Sequence, residues 1–267
     1  MNPPAALAVL GDPLKFTLSP VLHRAGLAAL GLPGDSEALR TPPEDLGERL
    51  RSLAARGLRG VNLTAPLKEA ALSHLDRVSE DARRARSVNT VGFDPDGWWG
   101  ETTDGPGLID LLESLGRELA RTRVVLLGAG GAARSLALAL CAAKAEVAAS
   151  SRRPDDVSAA WSEIPEAELL EWRSAEEDAR LARATLVINA TPLRDPTPLE
   201  RIDRSALLID LVYGEGPTPW VMAARALGRE AYDGLGLLLF QARRSLALWY
   251  SRPVPVEPLA RAVGWPR

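Results

Sequence analysis

Lysine is rare in this chain. Of 32 lysine and arginine residues, only Lys15, Lys68 and Lys144 are lysines. A position that needs positive charge alone accepts Arg. A position that must release a proton does not, because a guanidinium stays protonated at any working pH. Lys68 lies in the stretch VNLTAPLKE, Val61 to Glu69, just past an apolar strand and behind Pro66. A lysine drawn partly out of water at such a place can give and take a proton at a bound substrate. Asp104, in GETTDGPG, is the other acid–base group that falls near a strand end. An aspartate beside Lys68 would orient it and offset its charge. Each residue alone has a plainer role open to it: Lys68 as a surface lysine with its head in water, Asp104 as the N-cap of the helix it precedes.

A second group with chemical meaning is Gly128-Ala129-Gly130-Gly131-Ala132-Ala133, which fits G-x-G-x-x-G/A. The motif is weak alone and gains force here because it follows an apolar strand and opens a helix. Gly128 permits the tight turn, Gly130 lets backbone approach a pyrophosphate, and the helix N-terminus offers free N–H groups to an anion. Ala133 keeps the helix near the sheet. The alternative is a glycine-rich turn needed only for packing. In an NAD site an acidic residue ends the next strand, about 20 residues on. Here Ser150, Ser151, Arg152 and Arg153 stand at that point, and Asp155 and Asp156 come only after Pro154. Hydroxyls and guanidinium groups suit a 2′-phosphate, so the cofactor reads as NADP, unless the two arginines only decorate a solvated turn.

The elements that must position these groups alternate between strand and helix. Strands are predicted at Leu7–Leu10, Gly60–Leu63, Val88–Phe93 and Trp98–Glu101, the last two joined by the turn Asp94-Pro95-Asp96-Gly97. Helices are predicted from Ser19 (as N-cap) and Pro20 to about Leu30, over Pro43–Arg56 with Leu46, Leu50 and Leu53 on one face, and as short pieces at Pro66–Leu75 and Ser79–Ala85. From Gly105 the pattern becomes a βαβ series: helix to Leu115, strand Arg123–Leu127, helix Ala132–Ala143, and strands Glu146–Ala149, Leu186–Asn189 and Leu207–Asp210. A long helix, Leu235–Tyr250, and a short one, Pro258–Val263, close the chain.

At 267 residues the chain can hold two cores, and 46 % hydrophobic with 25 % charged residues is ordinary for a globular protein. A net charge of −3 gives no reason to expect a nucleic-acid or membrane partner. Cys141 is the single cysteine and cannot form an internal disulfide, which fits a reducing, cytoplasmic setting. No signal peptide or membrane-length apolar run is evident; a candidate such as Leu235 to Phe240 is far too short. His23, His74 and Cys141 show no ligand spacing, so no metal is expected, and no G-x-S-x-G elbow points to a serine hydrolase.

Eight stretches, in order, carry a likeness to a known family: GDPLKFTLSP, VNLTAPLKE, SVNTV, TTDGPG, GAGGAAR, INATP, DLVYGEGPTP and DGLGLLLFQA. Across essentially its whole length the chain resembles the shikimate dehydrogenases, NADP-dependent enzymes that interconvert 3-dehydroshikimate and shikimate. The resemblance implies a two-domain α/β fold: a substrate domain over residues 1–103, rejoined by 237–267, and a Rossmann NADP domain over 104–236. It implies catalysis by Lys68 with Asp104 as partner. It places Thr17 and Ser19 on the substrate carboxylate, Thr64, Asn89 and Gln241 on the ring hydroxyls, and Tyr213 on the substrate side. The cofactor is assigned to the glycine turn, to Ser151, Arg152 and Arg153, to Asn189 and Thr191 along its cleft, and to Gly234 near the nicotinamide.

The chain departs from the family pattern at several points. Thr17 replaces a Ser, and its methyl narrows the pocket, so preference for shikimate over quinate stays open. Thr102 replaces an Asn, Ser151-Arg152-Arg153 replaces an Asn-Arg-Thr clamp, and Leu237 replaces a Met. A paralogue acting on quinate and a silent NADP-binding regulator are the alternatives, and the presence of both Lys68 and Asp104 disfavours the second. Monomer and homodimer are both compatible with the sequence.

Overall fold

The computed structural model describes residues 5–266. It separates into two compact units, one running up to Gly107 and resuming at Leu238–Pro266, the other spanning Leu108–Leu237. Residues 1–4 and 267 of the expected domain spans lie outside the described residues.

The first unit is built on a six-stranded mixed sheet. Its strands are β1 (Ala5–Gly11), β2 (Asp35–Arg40), β3 (Gly60–Leu63), β4 (Arg77–Val78), β5 (Thr90–Asp94) and β6 (Gly97–Glu101), ordered β2-β1-β3-β5-β6-β4. β1 pairs in parallel with β2 and β3, whereas β5 runs antiparallel to both β3 and β6. Helix α1 (Ser19–Ala29) follows β1, and α2 (Leu46–Ala55) follows β2. Leu46, Leu50 and Leu53 of α2 are fully buried against Ala8, Leu10, Val61, Leu63 and Val91 of the sheet. Short helices α3 (Leu67–Ala70) and α4 (Glu80–Arg84) lie between β3 and β5, and Ser79 caps α4 by accepting from the Ala82 N–H.

Two local expectations need correction. Ser19 is the first residue of α1, not its cap; Leu18 takes the cap position and no side chain caps that end. Thr17 Oγ1 instead accepts from the Ser19 N–H at 3.1 Å. β2 had no counterpart in the sequence reading, because DSEALR is mostly polar and only Ser36 in it is buried.

The second unit begins within α5 (Asp104–Ser114) and carries a wholly parallel sheet of β7 (Arg123–Leu127), β8 (Glu146–Ser151), β9 (Glu168–Glu171), β10 (Leu186–Asn189), β11 (Leu207–Asp210) and β12 (Ala231–Tyr232). The order β12-β11-β10-β7-β8-β9 is that of a doubly wound dinucleotide fold, with the reversal between β7 and β10. Helices α6 (Gly131–Ala142), α7 (Pro154–Trp161), α8 (Ala175–Leu181) and α9 (Pro219–Ala226) connect the strands. α7, α8, α9 and the edge strands β9 and β12 were not foreseen. α6 buries Ala133, Leu136, Ala137 and Leu140 completely, which explains its run of small and aliphatic residues.

The chain returns to the first unit through α10 (Leu235–Tyr250), followed by α11 (Val256–Val263). α10 is fastened by Trp249, a fully buried side chain whose indole N–H donates to Val91 O at 2.9 Å. Gly60 is what lets the ring in. A Cβ on Gly60 would stand 2.2 Å from Trp249 Nε1 and 2.4 Å from Val91 O. Gly60→Ala is therefore expected to lower folding stability by about 3 kcal/mol, read as a drop in the denaturation midpoint. An unchanged midpoint would mean that α10 can lift off this sheet at no cost.

Candidate active site

The strand ends of the first unit set its site. The ends of β1 and β3 lie side by side, with Leu10 opposite Leu63, so the loops after them share one edge of the sheet. β5 enters at the same edge: Leu63 N–H donates to Asn89 O at 2.9 Å, and Asn89 N–H to Glu101 O at 3.1 Å. Lys68 follows on α3 and Asp104 opens α5.

There the two side chains meet. Lys68 Nζ donates to Asp104 Oδ2 at 2.5 Å, with 17 % and 8 % of the side chains exposed. The two remaining lysines, Lys15 and Lys144, are exposed. The other carboxylate oxygen, Asp104 Oδ1, accepts from Asn89 Nδ2 at 2.8 Å. Asp104 thus spends its oxygens on Lys68 and Asn89. Asn89 itself can face only one way. The Thr103 backbone N–H, which can only donate, sits 2.8 Å from Asn89 Oδ1, so the amide NH₂ must point to the carboxylate. Asn89 Nδ2 also lies 3.2 Å from Gln241 Oε1, on α10, and 3.0 Å from Thr103 Oγ1.

Among the other residues expected here, Thr17 Oγ1 donates to Ser19 Oγ at 3.2 Å, which leaves the Ser19 hydroxyl proton free to be offered elsewhere. The Thr64 hydroxyl, half-buried, has no partner among the described residues.

Behind this cluster lies a buried polar layer that the sequence reading missed. Thr90, Thr103 and Ser245 join Asn62 in a set of hydroxyl and amide contacts, with Thr90 Oγ1 2.7 Å from Ser245 Oγ and Asn62 Nδ2 3.0 Å from it. Asn62 Nδ2 donates to Asn89 O at 2.9 Å, so Asn62 Oδ1 faces His23 Nε2 at 2.8 Å. That nitrogen must carry the proton. Nδ1 then accepts from Ser36 Oγ at 2.7 Å, and the ring is a neutral Nε2–H imidazole. His23 is fully buried, and its ring stands nearly perpendicular to that of Trp249, with centroids 5.5 Å apart. Burial drives its pKa down to about 4, the hydrogen bond to Asn62 opposing this and the charge on Arg24 adding to it. The only hint of the layer in the sequence was spacing: Ser245 is one helical turn after Gln241.

In the second unit the glycine turn sits at the β7/β10 reversal. Gly128 has φ +114, and a Cβ there would stand 3.0 Å from Ala190 O and 2.9 Å from Thr191 Cγ2. A Cβ on exposed Gly130 would meet nothing within 4 Å. α6 has no side-chain cap, so the N–H groups of its first turn, at Gly131 and Ala132, remain available. Leu127 pairs with Ser150, which brings Ser151 and Arg152 beside this turn. Ser150 Oγ is buried without a hydrogen-bond partner. Arg152 is exposed and unpaired among the described residues, whereas Arg153 is held 3.1 Å from Asp156 in the helix that follows it. Open backbone donors, room before Gly130 and an uncompensated guanidinium fit a phosphate-bearing dinucleotide.

Asn189 is fully buried and spent on its own loop. It donates to Leu193 O and Asp210 Oδ1 and accepts from both the N–H and the hydroxyl of Thr191. Burial pushes the Asp210 carboxyl up, although Thr218, Val212 and Asn189 donate to it. Tyr213, half-buried, follows β11, and the Gly234 N–H donates to Val212 O beside it at 3.0 Å. Among the described residues no group of three or more His, Cys, Asp or Glu is placed to hold a metal ion, and no helix is long and apolar enough to cross a membrane.

An α/β chain with one mixed sheet around a lysine–carboxylate pair and one doubly wound sheet around a glycine turn has the build of a two-domain dehydrogenase. Comparison with known proteins narrows the class. A family model described as the shikimate dehydrogenase substrate binding domain matches residues 9–91. A shikimate dehydrogenase (NADP(+)) of Thermus thermophilus is 40 % identical over 242 residues, 91 % of each chain. That of Desulfitobacterium hafniense is 34 % identical over 265 residues, 96 % of each. The crystal structure of a Thermus thermophilus shikimate 5-dehydrogenase in complex with NADP(H) and shikimate matches with a TM-score of 0.86 at 37 % identity, over 97 % of this chain and 98 % of that one. The chain belongs to the shikimate dehydrogenase family.

The buried imidazole makes stability depend on pH. Between pH 6.5 and about 4 the unfolded chain protonates this histidine while the folded chain does not. The unfolded state therefore binds more protons in that window, and stability falls as pH drops through it; above pH 6.5 the contribution is constant. Between pH 7 and pH 5 His23 is expected to cost the wild type about 2 kcal/mol that His23→Gln does not lose. Denaturant unfolding at the two pH values measures the difference, and equal losses would mean that His23 charges inside the fold.

Proposed function

We propose that this chain is an NADP-dependent oxidoreductase interconverting 3-dehydroshikimate and shikimate by hydride transfer at C3, in chorismate and aromatic amino-acid biosynthesis. The observation that carries the reading is the Lys68–Asp104 pair, 2.5 Å apart and oriented by Asn89, in a chain of this family. The first unit is read as the substrate domain and the second as the NADP domain. The single cysteine and net charge of −3 accord with a cytoplasmic monomer or homodimer that has neither nucleic acid nor membrane as partner.

NADP, when bound, supplies or takes up the hydride at C4 of its nicotinamide. The chain's own residues handle the proton. In the reducing direction Lys68 gives a proton to the oxygen at C3 as the carbonyl becomes a hydroxyl; in the oxidising direction it accepts that proton. One of its three donors is held by Asp104, which fixes the nitrogen's position and leaves the others for the substrate oxygen. Asp104 also balances the charge, so the ammonium can persist in a mostly buried place. Ser19, supported by Thr17, presents its hydroxyl to the substrate carboxylate. Thr64, Asn89 and Gln241 take the ring hydroxyls, and Tyr213 completes the substrate side. On the cofactor side the turn Gly128-Ala129-Gly130-Gly131-Ala132 takes the pyrophosphate. Ser151 and Arg152 take the 2′-phosphate, Arg153 gives a second charge nearby, Asn189 shapes the loop that presents Thr191, and Gly234 lies at the nicotinamide.

Two outcomes test the roles. Lys68→Ala is expected to lower kcat roughly 10²- to 10⁴-fold, with KM for shikimate changed far less, as NADPH absorbance would record. Lys68→Arg should be nearly as slow, because charge is kept and the exchangeable proton is not. Near-normal turnover in either variant would remove Lys68 from catalysis. Arg152→Ala should raise KM for NADP roughly 10-fold or more and leave KM for NAD almost unchanged. Equal changes with both cofactors would mean that Arg152 does not read the 2′-phosphate.

A further inference from the structure

Two side chains hold the carbonyl oxygen of Ala129, in the middle of the glycine turn. Trp161 Nε1 donates to it at 3.0 Å and Arg134 Nη1 at 3.4 Å. Both donors are buried, Trp161 at 4 % and Arg134 at 3 % exposure. Trp161 is the last residue of α7, the helix that follows Ser151-Arg152-Arg153, and Arg134 lies near the start of α6.

The Ala129–Gly130 peptide is trans, so its C=O and N–H point in opposite directions. A carbonyl drawn inward by Trp161 aims the Gly130 N–H outward. On that side Gly130 is exposed, and its N–H has no acceptor among the described residues. The uncapped first turn of α6 adjoins it. A peptide next to glycine turns over easily, since glycine accepts φ of either sign. Were this one to turn over, a carbonyl dipole would face an incoming phosphate where a donor now stands.

We propose that Trp161 is a positioning residue for the cofactor. Its indole N–H, with Arg134 as a weaker second donor, fixes the Ala129–Gly130 peptide so that the Gly130 N–H is presented to the pyrophosphate. The proposal rests on the reading of this unit as an NADP site. It also explains why a tryptophan stands at the buried end of a short helix where an aliphatic side chain would fill space: only the indole carries a donor. α7 thus links both stretches, following directly on Ser151-Arg152-Arg153 and ending on the glycine turn.

The test uses the full chain, Trp161→Phe, and two ligands. NADP⁺ has the pyrophosphate and the 2′-phosphate; adenosine 2′-monophosphate has only the second. By isothermal titration, Trp161→Phe is expected to raise Kd for NADP⁺ roughly 5- to 30-fold, the effect of weakening one hydrogen bond to a charged group. Kd for adenosine 2′-monophosphate should stay within about twofold, as should kcat at saturating cofactor and KM for shikimate. An unchanged Kd for NADP⁺, or equal weakening of both ligands, would overturn the role of Trp161. A wild-type chain that bound neither ligand would overturn the cofactor reading itself and the proposal with it.

A second measurement needs no variant. Ala-Gly occurs only at Ala25-Gly26 and Ala129-Gly130, so labelling alanine carbonyl carbon with ¹³C and glycine nitrogen with ¹⁵N isolates these two amides by NMR. Saturating NADP⁺ should move the Gly130 amide proton downfield and leave Gly26, on α1, in place. A Gly130 amide that does not move under saturation would refute the presentation of this N–H to the pyrophosphate.

Discussion

A mostly buried ammonium held 2.5 Å from a mostly buried carboxylate is the constraint around which the first unit is arranged. Withdrawing two charges from water is unfavourable unless their geometry and remaining hydrogen bonds are well fixed, and losing one partner strands the other at a cost of about 3–5 kcal/mol. Lys68 and Asp104 are 36 residues apart and arrive on different helices. What joins them is the order β3-β5-β6, with the backbone bonds Val88 N–H to Lys68 O, Leu63 N–H to Asn89 O and Asn89 N–H to Glu101 O. The sheet edge sets the backbone, Asn89 sets the carboxylate, and the carboxylate sets the amine.

That chain of control continues inward. Asn89 is fixed by Thr103 and steadied through its own carbonyl by Asn62, whose amide is oriented by a histidine that must stay uncharged. A protonated His23 would have a second N–H where Ser36 now donates, and would place an unbalanced cation in the apolar seam beside Trp249. Neutrality of the deep layer therefore supports the mostly buried Lys68–Asp104 pair above it. The polar groups of the layer are saturated by one another, which is the condition for a buried network to stiffen a fold.

How much of this could be read from residues alone depended on the kind of signal. The strands Gly60–Leu63, Arg123–Leu127, Leu186–Asn189 and Leu207–Asp210 and the helix Leu235–Tyr250 match the expected limits, because an apolar run or a helical period bounded by turn residues is a local property. β2, β9 and β12 escaped notice because an edge strand buries little and its residues look like loop. Lys68 stood out by rarity and Asp104 by its place before a helix, but their contact is a product of strand order. Thr103, Ser245, Asn62 and His23 carried almost no signal, since a polar residue inside an apolar pattern gains its meaning only from partners far along the chain.

The two units solve opposite electrostatic problems. A group proposed to pass a proton has to be held without disturbing its surroundings, and Lys68 is matched by the Asp104 carboxylate, whose other oxygen accepts from the neutral amide of Asn89. A surface that captures phosphate must do the reverse and leave donors unmatched until the ligand arrives. On the proposed cofactor reading the glycine turn does this with an uncapped helix start, a Gly130 N–H and an Arg152 side chain that have no partner among the described residues, Asp156 being engaged by Arg153 instead. Unmatched donors are tolerable there because Gly130 and Arg152 are exposed and water can satisfy them, whereas the same groups in the buried layer of the first unit would each go unsatisfied at a cost of about 1–3 kcal/mol. Burial thus decides which unit can hold a balanced charge pair and which can hold waiting donors.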